Sequence, residues 1–490
     1  MASETRRVHH QVTFAVLAAA VAAYALLQSL VTPVLSTIAV DLHTNQNTVT
    51  WVLTAYLLSA SIFTPIMGRV GDMIGKERVF VATLIALSVG SLLAALATNV
   101  QVMIVARVIQ GIGGGVLPLA FGIIRDEFPK EKLNGAVGAI ASLSAVGAGL
   151  GIVLAGPIVN ALNYHWLFWL PMVLTVAAAV AAHFFVPESP VRTAGRISWL
   201  PAVLLSGWLV ALLVALSEAP VWGWGSGRVI GLLIASVVIA VAWVQVELRA
   251  AMPLIDMKMM RLPAVWTNNL VALLFGVGMY ATFAFLPEFV QTPKSTGYGF
   301  GASITQSGLI LLPASFTMFL VGMRAGSLAR RIGAKALVVI GCLVGVVSMA
   351  ILAFAHQEKW ELFLSTAIMG VGFGLAFSAM SSLIVSAVPP EQTGVASGMN
   401  ANIRTIGGSI GAALMASIVT AGPAADGLPR ESGYTNGFAM LAGALVIAAL
   451  AAVLMPTTGR SRTRGGERDD PEHAEAALLA GGTVVGDKPE

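Results

Sequence analysis

Charge is what this sequence has least of. Only 11% of its 490 residues are Asp, Glu, Lys or Arg, while 57% are hydrophobic; an ordinary soluble domain carries about 25% charged residues. Cysteine is nearly absent as well. Cys342 stands alone, so neither an intrachain disulfide nor a cysteine-based zinc site is available. No G-x-x-x-x-G-K-[ST] occurs, which removes the usual cradle for ATP, and no H-E-x-x-H or comparable metal cluster is present. The run GIGGG (111–115) sits inside an apolar segment rather than after a soluble strand, which argues against dinucleotide binding. His165 and His183 are isolated. The net charge of +4 is spread over loops and tails instead of one basic face, so nucleic acid is not an expected partner. The expectation is a chain with no cofactor, no metal and no enzymatic chemistry.

What the sequence has in abundance is apolar runs long enough to cross a bilayer, for which a helix needs roughly 20 residues. Fourteen can be marked, which predicts an all-α membrane protein. The first follows Arg6 and Arg7 but is longer than a signal-peptide core and reads as a retained helix. With fourteen crossings, only Arg228, Lys294, Lys359 and Arg430 fall on the side away from the termini. Apart from Arg107 and Arg404, which lie within spans, every other Lys and Arg shares the side of the N-terminus, which the positive-inside rule assigns to the cytoplasm. The expected organisation is a cytoplasmic tail (1–11), a six-helix bundle (12–187), two inserted central helices with linkers (188–262), a second six-helix bundle (263–456) and a charged, disordered cytoplasmic tail (457–490).

A repeat relates the two bundles. Gly68-Arg-Val-Gly-Asp-Met-Ile-Gly75 follows the second span, and Gly326-Ser-Leu-Ala-Arg-Arg-Ile-Gly333 follows the second span of the later group, 258 residues on. IQGIGGG (109–115) is answered by IMGVGFG (368–374) at an offset of 259. Two motifs recurring in order at nearly one offset imply a duplicated six-helix unit, with a substrate site near the midplane between the halves.

Polar residues inside spans are the candidate site. Arg107 interrupts an otherwise uncharged run, and an arginine near a span's centre costs on the order of 3 kcal/mol on insertion scales. Two readings stand: it faces a partner or wet cavity, or, being about two turns from the start of its span, it snorkels to the interface. Gln110 shares its helix face, and Gly111 and Gly113 let another helix or a ligand approach the backbone. Arg404, flanked by Asn400 and Asn402, is either a site residue or an interhelical polar contact. Glu288, in FAFLPEFVQT, is a carboxyl with apolar neighbours suited to reversible protonation, or simply a wet residue four from the end of its span. The spacing of Gly147, Gly151 and Gly156 forms a small-residue face for close helix packing.

With these residues in view, the chain resembles a major facilitator superfamily transporter, of the fourteen-helix drug:proton antiporter branch, over essentially everything up to about residue 456. The family's loop signature G-x-x-x-D-R-x-G-R-[KR] appears as GRVGDMIGKER, keeping Gly68, Asp72 and Gly75 with Lys76 and Arg78 at basic positions; Met73 replaces an arginine and Glu77 a basic residue. The helix 4 signature R-x-x-Q-G-x-G is met at Arg107, Gln110, Gly111 and Gly113. The exporter signature G-x-x-x-G-P-x-x-G-G is met at Gly147, Gly151, Ala155 and Gly156, with Ile152 in place of the proline. The resemblance implies that Asp72 steadies one state of an alternating-access cycle and that Arg107 takes part in proton coupling, with Glu288 as a further proton-coupling candidate. Gln28, Gln110, Asn400 and Arg404 are expected along the substrate pathway. The aspartate usual in helix 1 is missing: ALLQSLVTPVLST places Leu27 or Gln28 there.

The expected function is efflux of drug-like or antibiotic small molecules across the cell membrane in exchange for protons, by a monomeric multi-pass carrier without ATP, and hence multidrug resistance. Its rivals are a metabolite or nutrient transporter of the same fold and a non-transporting membrane sensor. Topology can be tested directly. On a Cys342→Ser background, an impermeant thiol reagent should label cysteines placed at Asn45, Asn99 and Gly297 in intact cells. Labelling at Asp72→Cys but not at Asn45→Cys would overturn the orientation.

Overall fold

Within hydrocarbon, no water satisfies backbone N–H and C=O groups, so a spanning segment must close its hydrogen bonds internally. The computed structural model describes residues 10–44, 46–189, 198–250, 253–422 and 428–456. Among them every apolar run is a helix and no strand occurs. The fourteen candidate membrane helices are α1 (His10–Val34), α2 (Thr48–Ile74), α3 (Lys76–Ala95), α4 (Val100–Glu127), α5 (Glu131–Ala161), α6 (Trp166–Phe185), α7 (Trp199–Trp222), α8 (Gly227–Arg249), α9 (Pro263–Gln291), α10 (Ile304–Ile332), α11 (Ala334–Phe354), α12 (Lys359–Ala387), α13 (Pro390–Thr420) and α14 (Glu431–Val453). Arg6, Arg7, Asn45, most of the joint 188–196 and the tail 457–490 lie outside the described residues.

Local chemistry sets several boundaries. Asn99 caps α4, its side chain accepting from the Val102 amide at 2.9 Å. Ser303 and Gln306 form a reciprocal capping box at the start of α10, which satisfies two amides that would otherwise lack partners. Within α4 the glycines Gly113–Gly115 tighten the helix into a 3-10 turn over Ile112–Gly115.

The duplication is visible in the packing. In the first half α1 packs on α5 and α6, α2 on α4, and α3 on α4 and α6. In the second half α9 packs on α13 and α14, α10 on α12, and α11 on α12 and α14. Adding eight to each helix number of the first set produces the second. The contacts between halves obey the same exchange, α5 against α10 and α2 against α13. The repeated motifs also share their conformations: Gly75 and Gly333 both have positive φ, 133° and 91°, a region glycine enters without the Cβ penalty. Their partners Gly68 and Gly326 both lie at the crossings between halves, where any Cβ would collide with the backbone of Gly394 and Gly135 respectively.

One boundary differs from expectation. The motif that begins at Gly68 was expected as a loop, but α2 continues as helix through Ile74. Only Gly75 turns the chain, and α3 starts at Lys76. Nothing in Arg69–Ile74 breaks a helix, and staying helical keeps Gly68 and Asp72, four residues apart, on the one face that meets α13.

The two seams are not alike. The α5–α10 seam is tight at both ends, with Gly326 against Gly135 near one and Gly156 against Thr305 near the other. The α2–α13 seam closes only in its half nearer the chain termini, where Gly68 meets Gly394 and Gly398 meets Thr64 and Pro65. Towards the far side it opens into an apolar cavity of about 260 Å³ bordered by Thr54, Leu57, Leu58, Phe285 and Ser409 together with α7. The inserted helix α7 leans on both α2 and α13 here, with α8 packed behind it. Thr54 Oγ1 and Ser217 Oγ are 3.4 Å apart, and the Trp224 indole donates to Ser417 at 2.7 Å.

Gly151 tests the packing of α5 on α1. A Cβ there would sit 2.8 Å from the Leu26 carbonyl and 3.2 Å from the Leu30 amide, backbone atoms that cannot swing aside. Gly151→Leu should therefore destabilise by about 1–3 kcal/mol or more and abolish transport, measured as a lower thermal midpoint in detergent and loss of uptake in vesicles. A variant that melts and transports like the parent would show that α5 does not depend on this approach.

Candidate functional site

Two polar assemblies stand out in an otherwise apolar interior. The first is near the termini side of the α2–α13 seam. The amides of Gly394 and Val395, in the first turn after Thr393, donate to Asp72 at 3.3 and 3.1 Å. These are amides that an α-helix leaves unpaired at its start, where the helix dipole also favours a negative charge. Lys76 is fully buried. Its ammonium lies 3.8 Å from Asp72 and 2.6 Å from Asp126 and donates to the Pro390 carbonyl at 3.4 Å. Arg125 adds a bond to the Val385 carbonyl. One half thus grips the other through charges that are almost wholly out of water.

The second assembly is central. Arg107 is fully buried, so it does not snorkel out of the protein. Its Nε donates to the Val52 carbonyl at 3.1 Å and its Nη1 to Gln110 at 2.7 Å; Gln110 in turn donates to Ser91 at 3.0 Å. The guanidinium lies 4.3 Å from the centre of the Tyr56 ring, and its Nη2 has no hydrogen-bond partner. Arg404, only 4% exposed, is built the same way. It lies 4.4 Å from the Phe377 ring centre, donates to Asn400 at 3.5 Å and leaves Nε unpartnered. Asn400 donates to Asn269 at 2.8 Å.

Between the two arginines lie tyrosines from three helices. Tyr24 of α1, Tyr56 of α2 and Tyr280 of α9 lie close to one another. Tyr280 packs against Gly408, one turn beyond Arg404, and Arg404 acts electrostatically on Tyr24.

Magnitudes explain how such charges persist. Burying an ion costs several kcal/mol even after relaxation. Hydrogen bonds to a charged group return about 1.5–3 kcal/mol each, and a desolvated cation–π contact about 2 kcal/mol. For Arg107 these terms roughly offset one another, but every partner is neutral, so the positive charge itself is left uncompensated. Among the described residues neither Arg107 nor Arg404 takes part in an ion pair.

The structure brings together some of the residues singled out from sequence and separates others. Arg107 and Gln110 are bonded, as are Arg404 and Asn400. Gln28 is half-buried, one turn along the face of α1 that carries Tyr24. Gly111 packs on Ser59 and Gly113 on Leu87, which are contacts within one half. Gly147 meets Ala22 and Ala25 of α1, whereas Gly156 meets Thr305 across the seam. The Glu288 side chain lies on the surface of the helix bundle, and its carboxylate accepts from Tyr434 at 3.3 Å. The tyrosines and Ser91 were not anticipated. The available signal was scarcity: the chain has 6 tyrosines, and three of them meet here.

The sequence model of the Major Facilitator Superfamily matches residues 17–412 and, in a second overlapping match, 269–486. The chain belongs to this family. It is therefore a non-enzymatic carrier that moves a small-molecule substrate across a membrane. It is 28% identical to a multidrug resistance protein B homolog of Mycobacterium tuberculosis, over 78% of this chain and 71% of that one. It is 29% identical to multidrug resistance protein 3 of Bacillus subtilis, over 76% and 72%, and 27% identical to the tetracenomycin C resistance and export protein of Streptomyces glaucescens, over 81% and 73%. Among solved structures it superposes on the human organic anion transporter MFSD10 with a TM-score of 0.62, at 18% identity over 92% of this chain and 99% of that one, a likeness of fold alone.

The grip on α13 makes a testable claim. Asp72→Asn keeps an oxygen for the helix N-terminus but loses the charge that Lys76 and the helix dipole stabilise, so it should weaken closure at this end by about tenfold. Abundance in the membrane should stay near that of the parent while the transport rate falls. Transport at the parent's rate would remove Asp72 from the gating machinery.

Proposed function

We propose that this carrier exports drug-like amphipathic molecules from the cytoplasm in exchange for protons, by alternating access, and that it confers resistance to some of them. The observation that carries this reading is the central polar cluster at the junction of two duplicated halves, combined with a seam latched on the termini side and parted on the other. In a positive-inside orientation the latched side is cytoplasmic. A cargo held among Arg107, Gln110, Arg404 and Asn400 would then be shielded from the cytoplasm and released outwards. The names of the relatives, which speak of multidrug resistance and export, support the same direction.

Coupling needs a carboxyl whose protonation changes which side is open. Asp72 is the better placed of the two candidates. Ionised, it holds the N-terminus of α13 and Lys76; neutral, it would hold both less strongly, so a proton would favour opening towards the cytoplasm. Glu288 has only Tyr434 as a partner and no contact with Arg107 among the described residues. Arg107 would act on the cargo and on the shape of the central cluster rather than on either carboxyl.

The direct test is a drug-susceptibility panel in a host lacking its own efflux pumps, with and without this gene, followed by proteoliposomes loaded with a compound it protects against. An imposed pH gradient should drive accumulation by the parent. Arg107→Ala should abolish accumulation with the folded protein still in the membrane, and Glu288→Gln should retain it. If Glu288→Gln removes the dependence on pH while sparing downhill exchange, Glu288 is the proton carrier instead. If no panel compound is protected against or moved, the export reading fails.

A further inference from the structure

We propose that the cargo carries an acidic group, and that Arg107 and Arg404, on either side of the tyrosine cluster, bind it. The proposal rests on the reading of this cluster as the cargo site, and it names the chemistry that site selects. Three observations lead to it. Both guanidiniums are buried and charged, yet every partner they have is neutral. Each leaves a donor unused, Nη2 of Arg107 and Nε of Arg404. The helices that carry and surround them offer no counter-ion at this depth: α1 and α10 contain no Asp or Glu, nor does α13 beyond Glu391 in its opening turn, and those of α2, α4, α5, α7, α9 and α12 lie near helix ends at Asp72, Asp126, Glu127, Glu131, Glu218, Glu288 and Glu361.

A buried cation without an anion is poorly placed in a low dielectric, and a bound carboxylate or sulfonate supplies the missing charge. The same charges repel a cationic amine. The rest of the ligand follows from the apolar cavity between α2, α9, α13 and α7. Leu57 and Leu58, next to Tyr56 in α2, and Ser409, five residues after Arg404 in α13, line that space, which suits an aromatic or aliphatic body. Tyr24, Tyr56 and Tyr280 offer ring faces near the arginines themselves. The chemistry selected is an amphipathic organic anion.

Three probes with one ring system separate charge from hydrophobicity: 2-naphthoate, 2-naphthamide and 2-naphthylmethylamine, each titrated against the full chain in lipid nanodiscs. Naphthoate should bind at least about tenfold more tightly than the amide, with the amine weakest. Arg404→Gln should bring the naphthoate-to-amide affinity ratio down to about one, and Arg404→Lys should restore part of the preference. Arg107→Gln provides a second, independent removal of charge should Arg404→Gln fail to fold. Equal binding of the three probes, binding of none, tightest binding of the amine, or a preference for naphthoate that survives both glutamine variants would overturn the proposal. Sealed vesicles keep the two readings apart. Naphthoate that binds with this arginine dependence but does not cross leaves the anion site standing and overturns the export reading.

Discussion

The structure depends on how closely two halves can approach without merging. Each half is a bundle whose internal contacts bury its own apolar faces, and the halves touch along two seams where glycine removes the side chain from the crossing. At Gly68 and Gly326 the neighbouring backbone occupies the place of a Cβ. Such contacts are short-range and are lost at once on separation, so each seam is either shut or open. Carriers need that property, because a seam that yielded gradually would leak. A glycine crossing supplies fit but little attraction, and the net grip must come from something else. On the α2–α13 seam it comes from Asp72 on the N-terminus of α13.

That grip is where the duplication has diverged. In the second copy of the motif Arg330 stands at the place of Asp72, and it bonds back to the Gly326 carbonyl of its own helix at 3.3 Å. An arginine cannot satisfy the free amides at a helix start and is repelled by the dipole there, so the α5–α10 seam has no corresponding latch. It has instead close packing along its whole length. A pair of seams equal in ancestry is therefore unequal in mechanics: one is packed throughout, the other latched at one end and parted at the other. The inserted α7 stands at the parted end, where its Ser217 meets α2 and Trp224, just beyond its end, bonds to α13, and it walls the cavity there.

Much of the architecture was legible in the sequence because the forces that set it are local and one-dimensional. Span length, hydropathy and the distribution of Lys and Arg act along the chain, and they suffice for fourteen crossings and two related halves. The glycines of the repeat were legible for the same reason, since a positive φ is a property of single residues. The site was legible only in part. Arg107, Gln110, Asn400 and Arg404 announced themselves as polar groups in apolar runs. Tyr24, Tyr56 and Tyr280 did not, because a tyrosine in a span is as common at an interface as in a site, and only the packing of three distant helices decides between them. Asp72 was read as part of a loop because charge and glycine suggest a turn, whereas the helix simply outlasts the apolar run.

The central cluster shows what neutral partners can and cannot do for a buried cation. Val52, Gln110 and the Tyr56 ring satisfy most of the geometry of Arg107, and Asn400 and Phe377 do the same for Arg404. Hydrogen bonds and ring faces fix where a guanidinium points, but dipoles and quadrupoles cancel a net charge poorly at distance, while another charge cancels it directly. A protein that needed these arginines only for structure would gain by supplying a carboxylate within reach, as it did for Lys76 with Asp72 and Asp126. The same chain thus contains both solutions. At the latch, where the contact must hold, the cation is paired within the protein. At the centre it is oriented but left unpaired, the arrangement that the proposed anionic cargo would complete.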